Sequence, residues 1–263
     1  YLHLGKMDYL YDKVQLYDTL KNIVQGRGLP QHLTGIQEDL KDIEHNMLHF
    51  LDNHDEQRLA SPEFAGDAKK GKPLMVVSAT ISSSPTMIYF GQEVGEPGAL
   101  DAGFGKHSRT SIFDYVGVPH HQRWMNGGKF DGGQLKPEEK ELRDFYKRLL
   151  NFTIKSDALM GEFLSLQEAN LGANLGYDFG LYSFVRWSEK EKLVIVTNFN
   201  QNTAVNCEVI VPADVVKKMN LKEGTFVLND QLYGNSQSEL KISNGVGKFK
   251  LSIQPGESFI YKL

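Results

Sequence analysis

The sequence predicts an α/β unit followed by an all-β module, and three observations carry that reading. Two apolar runs in the first part, Met47-Leu48-His49-Phe50-Leu51 and Thr86-Met87-Ile88-Tyr89-Phe90, pass with little or no turn into polar clusters, as buried parallel strands do at a functional rim. Between such runs lie stretches whose apolar residues recur at helical spacing. After Gly161 that spacing gives way to short β-branched and aromatic runs parted by Gly, Asn, Pro and charged residues.

Taken in order, Lys6-Met7-Asp8-Tyr9-Leu10-Tyr11 reads as a first strand, and residues 14–24 as a helix stopped by Gly26 and Gly28. Ile36, Leu40 and Ile43 place a second helix within residues 33–43, and the strand ending at Leu51 follows. Pro73 opens a buried helix through Ile81, bounded by Ser82-Ser83-Ser84-Pro85; the next strand ends in Gly91-Gln92-Glu93. Residues 94–134 read as a long Gly-rich loop carrying His107, Phe113, Tyr115, His120, His121 and Trp124. Lys136-Pro137-Glu138-Glu139 then starts a strong helix through Phe152, acidic first and basic toward its end, as the helix dipole favours. Beyond Gly161, Phe184–Trp187, Leu193–Thr197, Val209–Val211, Thr225–Leu228, the run around Leu251 and Phe259–Tyr261 read as strands of an antiparallel sandwich. Only residues 213–219 interrupt them as a helix. The division falls at 1–158 and 159–263.

With 263 residues and 40% hydrophobic content, the chain can bury a sizeable core. A formal charge of -4 and a pI near 6.1 argue against a nucleic-acid partner or an anionic membrane surface, so a neutral small molecule or polymer is the expected partner. No run of about 18 apolar residues occurs, and no membrane span is expected. Cys207 is alone, which rules out an internal disulfide and does not separate cytosol from periplasm or secretion; a periplasmic or secreted location is slightly favoured over a cytoplasmic one. Tyr1-Leu2-His3-Leu4 leads at once into ordered-looking sequence without an initiating Met, which suggests a piece of a longer protein.

The chemistry concentrates in Phe50-Leu51-Asp52-Asn53-His54-Asp55-Glu56-Gln57-Arg58. On an extended chain Asn53 and Asp55 point to one side and His54 to the other. Unaided, a strand-end Asp beside a His is a candidate for charge or hydrogen-bond work on a polar ligand. The wording closely resembles Phe-x-x-Asn-His-Asp, the last signature segment of the α-amylase family of glycoside hydrolases, on the seventh strand of a (β/α)8 TIM barrel. Thr86 to Glu93 resembles that family's eighth strand, and the β-rich remainder its carboxy-terminal β-sandwich.

The resemblance implies the last three barrel strands followed by a sandwich, and a parent enzyme that cleaves α-1,4-glucosidic bonds in starch, glycogen or maltooligosaccharides with retention. Such hydrolysis needs a nucleophilic carboxylate and a carboxyl acid/base. By resemblance Asp55 is neither but a third acid that holds sugar hydroxyls beside the anomeric carbon, His54 binds the same sugar, and Asn53 orients the tip. The nucleophile and acid/base of the family lie on earlier strands, and its calcium site on an earlier insertion, so no cofactor or metal is expected in this segment. A complete barrel takes about 250 residues; three parallel strands leave open edges, and the segment alone is expected to be inactive. A noncatalytic glucan-binding protein and a glucanotransferase of the same family are the alternatives.

Other patterns carry less. Arg58 reads as a structural or solvated ion pair, and Tyr89 and Glu93 as packing groups as readily as sugar contacts. Trp124 and Tyr115 offer faces for a sugar ring, although loop aromatics more often pack. His45 and His49 have zinc spacing, but no Glu follows the first His. The phosphate-loop likeness of residues 103–108 fails on spacing, and the sequon Asn151-Phe152-Thr153 falls within a helix.

Overall fold

The computed structural model describes residues 1–98, 110, 118–173 and 175–263. A short helix α1 (Leu2–Gly5) precedes β1 (Leu10–Tyr11), a π-helical turn (Lys13–Tyr17) and α2 (Asp18–Val24). Then come α3 (His32–Leu40), β2 (Met47–Phe50), α4 (Lys72–Thr80) and β3 (Thr86–Met87). The three strands form one parallel sheet in the order β1-β2-β3, with Leu10 opposite Met47 and His49 opposite Thr86. Their carboxyl ends therefore share one rim. The strands are shorter than their apolar runs predict, because the chain bends at Leu51 and Gly91 takes up a left-handed turn. A side chain at Gly91 would also press on Glu96 and His121.

Within the stretch expected to be a loop, α5 (Pro119–Met125) forms; Pro119 sits in its first turn, and the buried Glu96 carboxylate accepts the His120 and His121 N–H groups. His107, Phe113, Tyr115 and the 103–108 pattern lie outside the described residues. The predicted long helix is α6 (Pro137–Thr153), with Leu142, Phe145, Tyr146 and Leu149 turned inward.

A turn at Asp157–Met160 leads into the second unit: β4 (Glu162–Ser165), α7 (Gln167–Leu171), β5 (Leu181–Trp187), β6 (Lys192–Asn198), β7 (Val205–Val211), α8 (Ala213–Lys218), β8 (Gly224–Asp230), β9 (Gln237–Ser243), β10 (Val246–Ile253) and β11 (Ser258–Lys262). They make one antiparallel sheet in the order β4-β5-β6-β11-β8-β9-β10-β7, curled around its own core as a sandwich does. Both main-chain groups of Ile210, on the edge strand β7, are taken by the Asn170 amide of α7.

The near-continuous apolar run of β6 has a direct cause. Leu193 and Ile195, with Tyr182, Phe184 and Ile260 on the neighbouring strands, pack toward α4 and the parallel sheet. Val194 and Val196, with Leu181, Val185 and Phe259, face the interior of the curled sheet. A period of two thus serves two cores at once. Each fully buried aliphatic side chain there contributes about 1.5–3 kcal/mol. The units are joined by Arg186 of β5, whose Nη1 donates to the Ile81 carbonyl at the end of α4 (2.7 Å) and whose Nη2 donates to Leu159 and Gly161. Burial draws this guanidinium down to about 10.

Candidate functional site

The carboxyl rim of the parallel sheet is held by buried charge. Leu51 is fully buried and ends the run from β2; Asp52 follows and turns inward, its Oδ1 accepting the Leu59 N–H. Arg58, also without exposure, donates to Asp52 Oδ2 (3.4 Å), to the Phe90 carbonyl beyond β3 (2.7 Å) and to Thr110 Oγ1 (2.6 Å). Its guanidinium lies over the rings of Tyr89 and Phe90, at 4.7 and 4.6 Å. Arg58 thereby ties the tip of β2 to that of β3. Burial pushes the Asp52 carboxyl up to about 6, against the pull of Arg58.

From this anchor the chain turns outward. Asn53 is buried, and its Oδ1 accepts the N–H groups of Asp55 and Glu56, both at 2.8 Å, closing a tight turn. The chain is therefore not extended here. Asn53 points in while His54 and Asp55 both project into solvent, with His54 Nε2 3.3 Å from Asp55 Oδ2. The strand geometry expected from alternation, Asn53 beside Asp55 and His54 opposed to both, gives way to the turn. The Asp55 side chain is 75% exposed among the described residues. An exposed carboxylate beside an imidazole can accept hydroxyl donors and favour nearby positive charge.

The flank toward β1 is also polar. Glu56 accepts from the Tyr17 hydroxyl at 3.3 Å and lies 3.5 Å from Lys13 Nζ, while the Tyr17 ring stacks on Phe50 at 4.9 Å. Beneath the rim, Asp12 Oδ1 accepts the Leu16 N–H, and its Oδ2 lies 3.8 Å from His49 Nε2. Burial raises the Asp12 carboxyl and lowers the His49 imidazole.

Sequence reasoning singled out Asn53, His54 and Asp55 and passed over Asp52; it read Arg58 as a structural or solvated ion pair, and complete burial against Asp52 makes it the structural one. Of the remaining candidates, Tyr89 donates to the Thr110 carbonyl, and Trp124 stacks on His121 at 5.5 Å under the Arg143 guanidinium. His49 Nδ1 bonds the Ser78 carbonyl at 2.8 Å, and no single helix carries both His45 and His49. Among the described residues no three His, Cys, Asp or Glu side chains gather as metal ligands. No helix among them is long and apolar enough to cross a membrane.

No protein-family model matches the sequence, and no curated protein matches it. Solved structures do match the fold. A maltogenic α-amylase of Thermotoga neapolitana matches with a TM-score of 0.65 at 15% identity, over 98% of this chain and 51% of that one. An Anoxybacillus α-amylase gives 0.64 at 21%, over 98% and 48%, and AmyP in complex with maltose gives 0.63 at 18%, over 97% and 50%. The chain therefore has an α-amylase-like fold and spans about half the length of these structures.

Proposed function

We propose that these residues form the carboxy-terminal part of a retaining glycoside hydrolase of the α-amylase family, acting on α-1,4-linked glucans or maltooligosaccharides. The parallel strands β1 to β3, within residues 1–158, would be the last three of a (β/α)8 barrel, and residues 159–263 the β-sandwich that follows. The observation that carries this reading is the placement of Asp55: an exposed carboxylate at the carboxyl end of the middle parallel strand, within Phe-x-x-Asn-His-Asp, in a fold shared with α-amylases.

Asp55 accepts hydrogen bonds from hydroxyls next to the anomeric carbon. Those bonds tighten as the ring flattens toward the oxocarbenium-like state, which the fixed negative charge also favours. His54 donates to the same sugar, and Asn53 holds both in place through the turn its amide oxygen closes. The nucleophile and acid/base come from earlier strands of the parent, so the 263 residues alone release no sugar. Burial of Asp52 and Arg58 keeps their charges off the substrate and gives the turn a rigid base.

The test is reducing-sugar release from starch by the full parent and its Asp55→Asn variant. Loss of one such preorganised contact costs about 3 kcal/mol, roughly a hundredfold in rate. Retained activity in the variant removes Asp55 from catalysis. Glucan binding without release by the parent would make the protein a binder and not a hydrolase.

A further inference from the structure

Beneath the rim, between β1 and β2, lie a carboxyl and an imidazole that no step of the proposed reaction uses. Asp12 is 1% exposed and His49 2%. Asp12 holds the start of the Lys13–Tyr17 turn by two bonds: its Oδ1 accepts the Leu16 N–H at 2.9 Å, and its main-chain carbonyl accepts the Tyr17 N–H at 3.2 Å. Its Oδ2 has no hydrogen-bond partner among the described residues and faces His49 Nε2 at 3.8 Å.

The hydrogens around the ring are fixed by its neighbours. The Ser78 carbonyl, 2.8 Å from Nδ1, can only accept, so Nδ1 carries the hydrogen of the neutral imidazole and Nε2 presents a lone pair. Ser82 Oγ, 3.5 Å from Nε2, has no hydrogen to spare: Ser84 Oγ gives its own to the Glu44 carbonyl and takes the one from Ser82, at 2.8 Å. Without a further proton, a ring lone pair, a hydroxyl lone pair and a carboxylate oxygen would meet in a dry interior. One proton on Asp12 Oδ2, directed at Nε2, removes the conflict and leaves both groups neutral.

The surrounding charges leave that proton where the geometry puts it. Burial raises the Asp12 carboxyl, against its bonds to Leu16 and Gln15 and the pull of His49. Burial also lowers the imidazole; Asp12 and Glu44, ahead of β2, favour an imidazolium, and Arg186 of β5 opposes it.

From Asp12 a short path leads to the candidate site. The Tyr17 hydroxyl donates to Glu56 Oε2 at 3.3 Å, Lys13 Nζ lies 3.5 Å from Glu56 Oε1, and the Glu56 N–H shares Asn53 Oδ1 with that of Asp55. We propose that Asp12 is a positioning residue, a buried carboxylic acid whose proton is directed at His49 Nε2 and which, through the Lys13–Tyr17 turn, holds Glu56 and Asp55 in place. The proton stands on the packing of the pair; its effect on sugar cleavage rests on the proposed function. With the carboxyl raised above the ordinary 3.8, the stabilisation is complete below that value and is lost as pH rises through the folded one.

Asparagine is the isostere of the protonated acid: its amide oxygen can accept from Leu16 and its NH2 can donate to Nε2, with no proton to lose. In the 263-residue chain, the urea midpoint of Asp12→Asn should exceed that of the wild type by a margin that grows as pH rises from about 4, where an unfolded aspartate ionises, and levels off once the folded carboxyl ionises too. The carboxyl carbon resonance of Asp12 should titrate above the ordinary aspartate value, and the Asp55 and Glu56 amide shifts should carry a component with that same midpoint, absent from Asp12→Asn. In the parent, Asp12→Asn should move the alkaline limb of kcat/KM to higher pH. Tyr17→Phe, which cuts the link to Glu56 without touching the proton, should lower kcat/KM roughly tenfold. A margin that stays flat or shrinks, an Asp12 resonance at the ordinary value, or Asp55 and Glu56 amides that ignore the Asp12 midpoint overturns the proposal. So does an active parent whose alkaline limb stays put in Asp12→Asn or whose kcat/KM stays put in Tyr17→Phe, while the Asp55 reading survives. A parent that releases no sugar, although margin, resonance and amides behave as expected, upholds the positioning pair and sinks the hydrolase.

Discussion

Among the described residues each half of the molecule buries one arginine, and the two are held in different ways. Arg58, in the parallel unit, meets a carboxylate, a hydroxyl, a carbonyl and two aromatic faces, all at the rim from which the candidate site projects. Arg186, in the antiparallel unit, meets three main-chain carbonyls, one at the end of α4 and two in the turn before β4. The first is one half of a buried ion pair, so its partner depends on it for charge balance; the second is a staple whose partners carry no charge. Charge is buried with charge where a loop must be held for chemistry, and with carbonyls where two layers must be held together.

Removing each arginine should separate these roles. Arg58→Ala strands Asp52 in the interior and is expected to cost about 3–5 kcal/mol in urea unfolding. A loss below about 1 kcal/mol would mean that the carboxylate finds water. Next in size is a pH effect on the same pair. Asp52 sits at about 6 in the folded chain and at the ordinary 3.8 when unfolded, so the folded state takes up the proton first as pH falls. Its contribution to stability therefore rises as pH drops from about 6 to about 4, by up to about 3 kcal/mol, and it is lost again as pH climbs back through 6. The difference in unfolding free energy between the wild-type chain and Asp52→Asn, followed across that window, should show the slope. Smallest is Arg186→Met, which leaves three carbonyls short of a donor but no stranded charge, and should cost about 2 kcal/mol with a pH profile unlike that of Arg58→Ala.

Most of the layout was legible in the residues because burial imposes period. The helices at 72–80 and 137–153 and six of the eight antiparallel strands follow from apolar spacing alone. Two strands escaped, Glu162–Ser165 and Gln237–Ser243, each an edge or surface strand with only two large apolar residues to signal it. The helix Pro119–Met125 was hidden for another reason: its amino end is capped by Glu96, more than 20 residues away in sequence, and no local pattern shows that. At the site, the period of two failed where the strand stopped. Asn53 uses its side chain to close a turn, which puts His54 and Asp55 on one side. Asp52 was overlooked because its partner lies six positions on, a separation with no meaning in a helix or strand. The resemblance to α-amylases singled out Asp55, and the geometry of the turn supplies what holds it.

The carbonyl of Ile81 is taken up by a guanidinium 105 residues later in the chain. At about 5–20 residues per second, a ribosome delivers the second partner roughly 5–20 s after the first. For that interval the end of α4 has only water or a chaperone to turn to, and the apolar side it will later press against β6 stays uncovered. The nascent chain is thus most exposed to misassembly midway through its own synthesis, and slowing translation after residue 81 should lengthen that vulnerable period in proportion.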